Sequence, residues 1–301
     1  MNIGQFNARG PYNGDEHWFD LIYEEFIKRG HKVRQFWLRG KQPKKEDIEW
    51  MDFVIFHFSQ VALYYRRIGV PFCIMPSAND CFPDNGAKLK VAASHKNCKF
   101  VTYQSMYHLK KYKEWDIPKP KVYVPHPVRT NLFKRKTPYN PSGGLVAGGR
   151  LIPKKGLDRL KGVENLTIFG DGLLKEKLHN RLHEANFTGH LSGEQLKDLF
   201  EQSSIYLFPA IVTPDGDSEG ISNTIKEAML MELPVICTTV AGNKEFENVI
   251  HLDDWSKINY LLENKNIRQR NWKGRQEILR IYSPKTCVNM LLGGIEEYVN
   301  G

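Results

Sequence analysis

Short apolar runs alternate with helical patterns along the whole chain. In the first half, runs rich in β-branched and aromatic residues predict strands: MNIGQF, KVRQFWL, DFVIFHF, PFCIM, KFVTY and KVYVPH. The second half repeats the rhythm with GLVAGG, NLTIFGDG, IYLFPA, LPVICTT and NVIHL. Between the first two runs, EHWFDLIYEEFIKRG has apolar residues at helical spacing and a stop at Gly30. This alternation predicts parallel sheets with helices on both faces.

The alternation indicates two open, doubly wound sheets, and therefore two Rossmann-like domains. The boundary is predicted within residues 127–144, a segment rich in proline, glycine and polar residues that no clear periodicity crosses. The end of the chain predicts a helix, interrupted by Gly293 and Gly294, that packs back toward the first domain. The assigned segments are 1–137, 138–284 and 285–301.

Composition places the chain among soluble globular proteins, with 41% hydrophobic and 26% charged residues in 301. It contains no run of apolar residues long enough to span a membrane, and its first residues lack a signal-peptide pattern, so we expect a cytoplasmic protein. The five cysteines are scattered without a C-x-x-C pair, which indicates neither a disulfide framework nor a zinc site.

The net charge of +9 is unevenly distributed along the sequence. Residues 1–137 hold 24 Lys and Arg against 13 Asp and Glu, a balance of +11, whereas residues 138–301 hold 19 against 21, a balance of −2. Such asymmetry predicts an anionic partner for the first half. An ordinary solvated surface is the alternative interpretation.

Two segments of the second half carry candidate binding chemistry. Arg150 and Lys155 follow its first predicted strand beside glycine turns, and such a pair of cations suits a pyrophosphate, although both could be ordinary surface bases. The segment of Gly220, Ile221 and Ser222 comes at the start of a predicted helix, where unpaired amides and the helix dipole favour an anion.

Two glutamates flank that helix start. Glu219 precedes it and Glu227 lies inside the helix, eight positions further on. A carboxylate accepts hydrogen bonds from two hydroxyls, so a ribose diol or sugar hydroxyls are natural partners for both residues. A favourable charge near the helix dipole would explain Glu219 alone, but not the pair.

A glycine turn in the first half, NARGPYNGDE, contains Gly10 and Gly14 but not the G-x-G-x-x-G dinucleotide fingerprint. We include Gly14 and Gly149 among the donor-binding candidates.

The second half resembles the nucleotide-sugar domain of the retaining glycosyltransferases of family 4. The resemblance covers about residues 145–247, and the matching stretches occur in order: GGRLIPKKGLDRL, LTIFGDGLLKEKL, FTGHLSGEQLKDLFEQSSIYLFPA and DGDSEGISNTIKEAMLMELPVICTTVAGNKE. It implies a GT-B fold, α/β with two Rossmann-like doubly wound parallel-sheet domains facing each other across a cleft. It also implies that the glutamate pair is the E-x7-E motif of this family.

The resemblance assigns roles to the matching positions. Arg150 and Lys155 are similar to the pair that neutralises the leaving diphosphate. Glu219 is similar to the residue that orients the transferred sugar, and Glu227 to the one that binds the nucleotide ribose. The donor would be a UDP- or GDP-sugar and no cofactor is expected. We expect no metal, because no D-x-D cluster follows a strand and the DGD of residues 215–217 lies beside the E-x7-E loop.

The acceptor side matches the family less closely. Many relatives have a His-Asp pair in the acceptor cleft, whereas this chain has SANDC, with Asn79 and Asp80. His57, at the end of a predicted strand, is a substitute candidate, although a lone histidine is more often structural.

Basic aromatic segments of the first half add Arg66, Arg67, Lys110 and Lys111 as acceptor candidates, although such segments are also common on ordinary helix surfaces. They fit a polyanionic acceptor: DNA, tracked through its phosphates, or an anionic membrane surface with a lipid-linked acceptor. Segments such as FIKRGHKV and KKYKEW resemble phage DNA α-glucosyltransferases, and we favour a hydroxymethylated base in DNA, which would place the enzyme in a phage-infected cell.

The alternatives for function are transfer to an envelope polysaccharide or lipid at the inner membrane face, and a non-catalytic nucleic-acid-binding protein on the same fold. The sequence indicates no protein partner.

Overall fold

The computed structural model describes residues 1–8, 17–76 and 83–300. By its internal contacts the chain forms two units, which we call the first and the second unit. The first unit comprises Met1–Val128 and Tyr282–Gly301, and the second comprises Arg129–Ile281. No helix in the described ranges is both long enough and apolar enough to cross a membrane.

The first unit is built on a six-stranded parallel sheet. Its strands are β1 (Asn2–Asn7), β2 (Lys32–Trp37), β3 (Phe53–His57), β4 (Phe72–Met75), β5 (Cys98–Tyr103) and β6 (Lys121–Tyr123), in the order β2-β1-β3-β4-β5-β6. Every residue of β3 and β4 is buried, as expected for central strands that are covered on both faces.

Helices cover both faces of this sheet. Along the chain they are α1 (His17–Lys28), α2 (Lys45–Trp50), α3 (Ser59–Tyr65), α4 (Pro83–Ala93) and α5 (Met106–Glu114). One apolar cluster includes Phe36, Phe56 and Phe72, and a second combines Ile3 and Phe53 with residues of α1 and of the C-terminal helix. The two clusters account for the aromatic and β-branched runs of the first half of the sequence.

The second unit contains another six-stranded parallel sheet. Its strands are β7 (Gly144–Gly148), β8 (Leu166–Phe169), β9 (Asn186–Gly189), β10 (Ser203–Phe208), β11 (Val235–Cys237) and β12 (Ile250–His251), in the order β12-β11-β10-β7-β8-β9. Its helices are α6 (Lys175–Arg181), α7 (Gly193–Gln202), α8 (Asn223–Leu230), α9 (Ile258–Glu263) and α10 (Trp272–Ile281). Short 3-10 turns, among them Pro153–Lys155, join these elements.

The predicted break in the C-terminal helix is wrong. This helix, α11, runs from Pro284 to Ile295 without interruption. A Cβ atom on Gly294 would lie 3.1 Å from Val122 Cγ1 and 3.2 Å from Phe100 Cζ. The absence of a side chain at Gly294 therefore allows the helix to pack closely against the sheet of the first unit.

In each sheet, the chain adds strands first on one side of its starting strand and then on the other side. The chain switches sides between β1 and β3 in the first unit and between β7 and β10 in the second. Ligands of open α/β sheets bind outside the carboxyl ends of the strands at such points. The loops that follow β7 and β10 are therefore the first place to look for a site in the second unit.

The residues that follow Val128 group with the second unit, although the sequence analysis placed residues up to 137 in the first domain. Arg135 illustrates why: its guanidinium donates hydrogen bonds to the carbonyl oxygens of Phe200, Glu201 and Met231, at the ends of α7 and α8. A cation is stabilised at the carboxyl end of a helix, where carbonyls lack partners within the helix.

This grouping changes the charge balance on which the acceptor hypothesis depends. The first unit holds 21 Lys and Arg against 15 Asp and Glu, and the second unit holds 22 against 19. The balances are thus +6 and +3, instead of +11 and −2. Most of the asymmetry came from the position chosen for the boundary, so it no longer singles out the first unit as the binding surface for a polyanion.

Candidate functional site

Two loops meet at the carboxyl end of the second sheet. The chain leaves β7 through Gly149 and Arg150 and forms the 3-10 turn Pro153–Lys155. The neighbouring strand β10 is followed by the loop that carries Glu219. A hydrogen bond from the amide of Ile211 to the carbonyl oxygen of Lys154, 2.9 Å long, joins the two loops.

Glu219 is held by two lysines from the turn after β7. Lys155 Nζ lies 3.2 Å from Glu219 Oε2, and Lys154 Nζ lies 3.9 Å from Oε1. Burial raises the pKa of Glu219, but the positive charges of Lys155 and Lys154 outweigh this effect and hold the pKa below its ordinary value. The site therefore contains a carboxylate, 12% exposed, that stays ionised at neutral pH.

Lys154 connects the same turn to the residues before Glu219. Its side chain is only 6% exposed, and its Nζ donates to Asp217 Oδ1 at 3.0 Å and to the carbonyl oxygen of Ser218 at 3.3 Å. Buried lysines are rare unless they are paired, and these partners account for this one. Lys154 was not among the residues predicted from the sequence, although it stands next to Lys155.

Lys155 also contacts an aromatic ring. Its Nζ lies 4.8 Å from the centre of the Phe208 ring, at the end of β10. Gly149, whose φ is 121°, lies beside the lysine side chain: a Cβ there would be 3.6 Å from Lys155 Cε. Arg150 is exposed, and its charge also helps to lower the pKa of Glu219. The predicted cations and Glu219 are thus brought together.

Helix α8 begins directly after the Glu219 loop. Ser222 precedes its first residue and makes no side-chain hydrogen bond to the helix amides. Gly220 accepts a hydrogen bond from the amide of Gly242, at 3.0 Å, through its carbonyl oxygen. The first amides of a helix have no partners within it, and together with the helix dipole they form a site for an anion. This start of α8 lies on the same loop as Glu219, as the sequence predicted for Gly220, Ile221 and Ser222.

Glu227 lies inside α8 and is 8% exposed. Its Oε1 accepts a hydrogen bond from Arg129 Nη2 at 3.3 Å. Arg129 lies in the segment 127–144, which was predicted from the sequence to be the domain boundary. Burial raises the pKa of Glu227, and the charge of Arg129 opposes this without cancelling it, so the pKa remains above its ordinary value. The two glutamates of the pair therefore differ in how firmly they are held in the charged form.

Tyr206, on β10, connects the surroundings of the two glutamates. Its hydroxyl donates to Thr224 Oγ1 at 2.8 Å, and Thr224 in turn contacts Ser222 Oγ at 2.9 Å. Burial raises the pKa of Tyr206, and the charges of Glu219 and Glu227 act in the same direction. Both carboxylates are therefore close enough to this ring to influence it, and the hydroxyl remains a neutral donor.

The acceptor candidates of the first unit do not form a comparable cluster in the residues that the structure describes. His57 is the last residue of β3 and is fully buried, with its ring 4.7 Å from that of Trp18 and 4.6 Å from that of Phe19. Burial lowers the pKa of His57 to about 3, so the ring is neutral. Gly14 and Asp80 lie outside the described residues.

The basic acceptor candidates lie directly after α3 and on α5 of the first unit. Arg66 follows α3 and donates to the carbonyl oxygen of Leu63, and Arg67 is exposed. Lys110 and Lys111, on α5, both contact Glu114, at 3.9 Å and 3.0 Å. Such exposed pairs contribute little to stability and leave the side chains accessible.

A further aromatic contact of the first unit was not anticipated from the sequence. His126, shortly after β6, stacks on Trp18 with ring centres 3.6 Å apart and an interplanar angle of 14°. Trp18 therefore lies against two imidazoles, those of His57 and His126.

Comparison with known proteins relates the second unit to one family. Residues 149–266, which include Arg150, Lys155 and all of α8, match the family described as Glycosyl transferases group 1. The GDP-mannose-dependent alpha-mannosyltransferase of Mycobacterium tuberculosis (strain CDC 1551 / Oshkosh) is 28% identical over 124 residues, which are 39% of this chain and 31% of that protein. The amylovoran biosynthesis glycosyltransferase AmsK of Erwinia amylovora is 27% identical over 125 residues, 40% of this chain and 30% of that protein.

The chain thus spans about a third of the length of the curated relatives it matches.

Solved structures match over nearly the whole chain. HepE of Anabaena, in complex with UDP, has a TM-score of 0.76 at 15% identity, covering 99% of this chain and 100% of that one. Sucrose-phosphate synthase of Thermosynechococcus elongatus has a TM-score of 0.78 at 13% identity, covering 99% and 98%.

At these identities the structural similarity establishes the fold. The predicted class is confirmed: the chain is α/β, with two six-stranded parallel sheets as in GT-B glycosyltransferases. The second unit is related in sequence to group 1 glycosyltransferases, which supports the resemblance to family 4. The phage DNA subtype stays a prediction.

Proposed function

We propose that this protein is a retaining glycosyltransferase that transfers a sugar from a nucleoside diphosphate sugar without a metal ion. The observation that carries the proposal is the charged cluster after β7 and β10, in which Lys155, Glu219 and the start of α8 lie together. This cluster falls inside the segment related to group 1 glycosyltransferases. UDP in HepE and the GDP-mannose in the name of the mycobacterial relative support a UDP- or GDP-sugar as donor.

In the proposed reaction the bond between the sugar and the β-phosphate breaks, and negative charge accumulates on the leaving diphosphate. Arg150, Lys155 and the amides at the start of α8 would stabilise that charge, and preorganised groups of this kind usually supply the largest part of catalysis. Glu219 would accept hydrogen bonds from the transferred sugar, and its retained negative charge suits this role. Glu227 would accept the hydroxyls of the ribose.

The donor assignment is tested by titration with UDP-glucose and GDP-mannose in a calorimeter. Replacing Glu227 by Ala removes the ribose acceptor and should weaken the better donor by about 1.5–3 kcal/mol, the value of hydrogen bonds to a charged group. Glu263→Ala is a matched control, because Glu263 is an exposed glutamate at the end of α9 in the same unit. If Glu227→Ala and wild type bind the donor with equal affinity, the ribose assignment is refuted. The retaining mechanism is tested separately, and inversion at the anomeric carbon of the product would refute it.

For the acceptor we propose a saccharide or a lipid-linked saccharide. Relatives named for amylovoran and colanic acid biosynthesis support a carbohydrate acceptor, and the corrected charge balance weakens the earlier argument for DNA. Hydroxymethylated DNA remains the competing acceptor, because the first unit keeps a positive balance of +6.

Incubation with donor and each acceptor class, followed by mass spectrometry, separates these possibilities. Charge reversal at Arg66 and Arg67 should leave transfer to a neutral oligosaccharide unchanged, whereas it should weaken a salt-sensitive transfer to DNA. Transfer to DNA alone would overturn the saccharide proposal. Tight DNA binding without turnover of any donor would instead support the non-catalytic alternative.

A further inference from the structure

Arg129 is the first residue of the second unit and reaches Glu227 across 98 positions of sequence. The contact joins Arg129 Nη2 to Glu227 Oε1 at 3.3 Å, and the two side chains are 22% and 10% exposed. A carboxylate offers about four lone-pair positions, so this single contact does not exhaust the capacity of Glu227 to accept other hydrogen bonds. The pair is thus compatible with a further ligand on the same carboxylate.

The guanidinium of Arg129 lies between its own segment and α7. Its central carbon lies 5.3 Å from the centre of the ring of Phe133, four residues further along the same segment, within the range of a cation–π contact. Gly193, the first residue of α7, faces the guanidinium: a Cβ at Gly193 would lie 2.5 Å from Arg129 Nη1 and 2.8 Å from Leu132 Cδ2. The guanidinium therefore has room at this place because residue 193 is a glycine.

The charges that face Glu227 are few among the described residues. Arg129 approaches from the segment before β7, and Lys226 is its neighbour on α8; both lower the pKa of Glu227. Tyr206 faces it from β10 as a neutral hydroxyl. Arg129 contacts the carboxylate directly.

We propose that Arg129 is a positioning residue that supplies the counter-charge of Glu227 and fixes its carboxylate for the ribose hydroxyls of the nucleotide. This inference rests on the proposed function, because it needs Glu227 to bind the ribose. Hydroxyl donors bind the ionised carboxylate better than the protonated acid, so the arginine extends nucleotide binding to lower pH. Its removal should make donor affinity sensitive to pH in the neutral range.

The test measures the dissociation constant of UDP-glucose or GDP-mannose, whichever the wild type binds better, from pH 5.5 to 8.5. An opposite charge nearby moves a carboxyl pKa by about 1–3 units, so in Arg129→Met the affinity should begin to fall at a pH about 1–3 units higher than in wild type. Below that pH the donor affinity of Arg129→Met should fall about tenfold for each unit of pH. Arg129→Lys, which keeps the charge, should restore part of the wild-type profile.

Gly193→Ala provides an independent perturbation. Alanine is favourable in a helix, but its Cβ would displace the guanidinium, so the pH profile should move in the same direction as in Arg129→Met while α7 stays folded. In a Glu227→Gln background, Arg129→Met should produce no pH shift, since no ionisable group remains there. Arg280→Met is the matched control, because Arg280 is an exposed arginine of the second unit that pairs with Glu247 at 4.0 Å.

The outcomes are distinguishable. If wild type binds no nucleotide sugar at any pH, the proposed function fails and the inference fails with it. If wild type binds but Arg129→Met follows a parallel pH profile, only the inference is overturned. A shift of the profile that disappears in the Glu227→Gln background supports it.

Discussion

The carboxyl ends of the two sheets are lined by different chemistry, although both sheets are parallel and six-stranded. In the second unit, Lys154 and Lys155 surround the ionised Glu219. In the described part of the first unit, aromatic rings and a neutral imidazole occupy the corresponding place, with His57 in contact with Trp18 and Phe19 of α1. The same architecture therefore holds a preorganised charge cluster in one unit and an aromatic cluster in the other. The fold alone does not decide what a site can bind.

The segment that matches the family contains the charge cluster and does not contain the aromatic cluster. In the proposed function the cations, the glutamates and the helix start bind one rigid ligand, a diphosphate bonded to a sugar, and this requirement restricts their spacing. An aromatic cluster can be assembled from many combinations of side chains. The match to the family accordingly covers residues 149–266 and no part of the first unit.

The largest effect should follow from removing a cation of the second unit. Arg150→Met or Lys155→Met should lower kcat by about 10²–10³, because the diphosphate gains charge in the transition state and the effect of one preorganised donor is of this size. Donor affinity should change less. Lys161→Met, at an exposed lysine of the same unit, is the control. Nearly full kcat at saturating donor in either variant would remove that residue from the mechanism.

A second experiment separates the charge of the cluster from its geometry. Lys154→Met breaks the link to Asp217 and Ser218, and a displaced Glu219 loop should reduce kcat by up to about 10². Loss of the positive charge also raises the pKa of Glu219, so the acid side of the pH–rate profile should move to higher pH. Lys154→Arg should restore the profile. If kcat falls without any movement of the profile, Lys154 acts on the structure alone.

The smallest expected effect concerns the aromatic cluster of the first unit. Burial lowers the pKa of His57 from 6.5 to about 3. Between these two pH values, His57 binds a proton in the unfolded chain but not in the folded one. Stability therefore falls as the pH drops below about 6.5, and between pH 7 and pH 5 the loss from this residue should be about 2 kcal/mol. His57→Phe should remove that part of the pH dependence.

Hydrogen exchange of the β3 amides at pH 7 and pH 5 would measure this difference within the first unit. His183→Phe is the control, because the side chain of His183 is 73% exposed in the second unit. The same pH dependence in His57→Phe and wild type would show that His57 becomes protonated without unfolding, and the contrast between a charged and a neutral cluster would then lose its basis.

The fold was largely predictable because the hydrophobic pattern is strong in the buried strands. Runs such as DFVIFHF and IYLFPA became β3 and β10, in which every residue is buried. Strand β9 was missed, since it lies at the edge of its sheet and its four residues are exposed or half-buried. A pattern that depends on burial gives little signal at such an edge.

The candidate site was predictable where short motifs carry its charged residues. Lys155 and Glu219, each in a motif of its own, were predicted to lie together and are in contact. Arg129 was not predicted, because nothing near it in sequence indicates that it reaches Glu227. Lys154 was overlooked because adjacent lysines are common on surfaces, and only its burial distinguishes it. Long-range ion pairs of this kind depend on tertiary packing, which a single sequence does not display.

The return of the chain to the first unit has a consequence for its biosynthesis. Val288, Leu291 and Ile295 of α11 belong to the same apolar cluster as Ile3 and Phe53, yet the ribosome makes them after the entire second unit. Domains generally fold as units during translation, with the N-terminal one first. Here the second unit leaves the ribosome complete, while the first unit still lacks α11 and leaves part of its apolar surface exposed. We therefore expect the first unit to complete its apolar cluster only after α11 has left the exit tunnel.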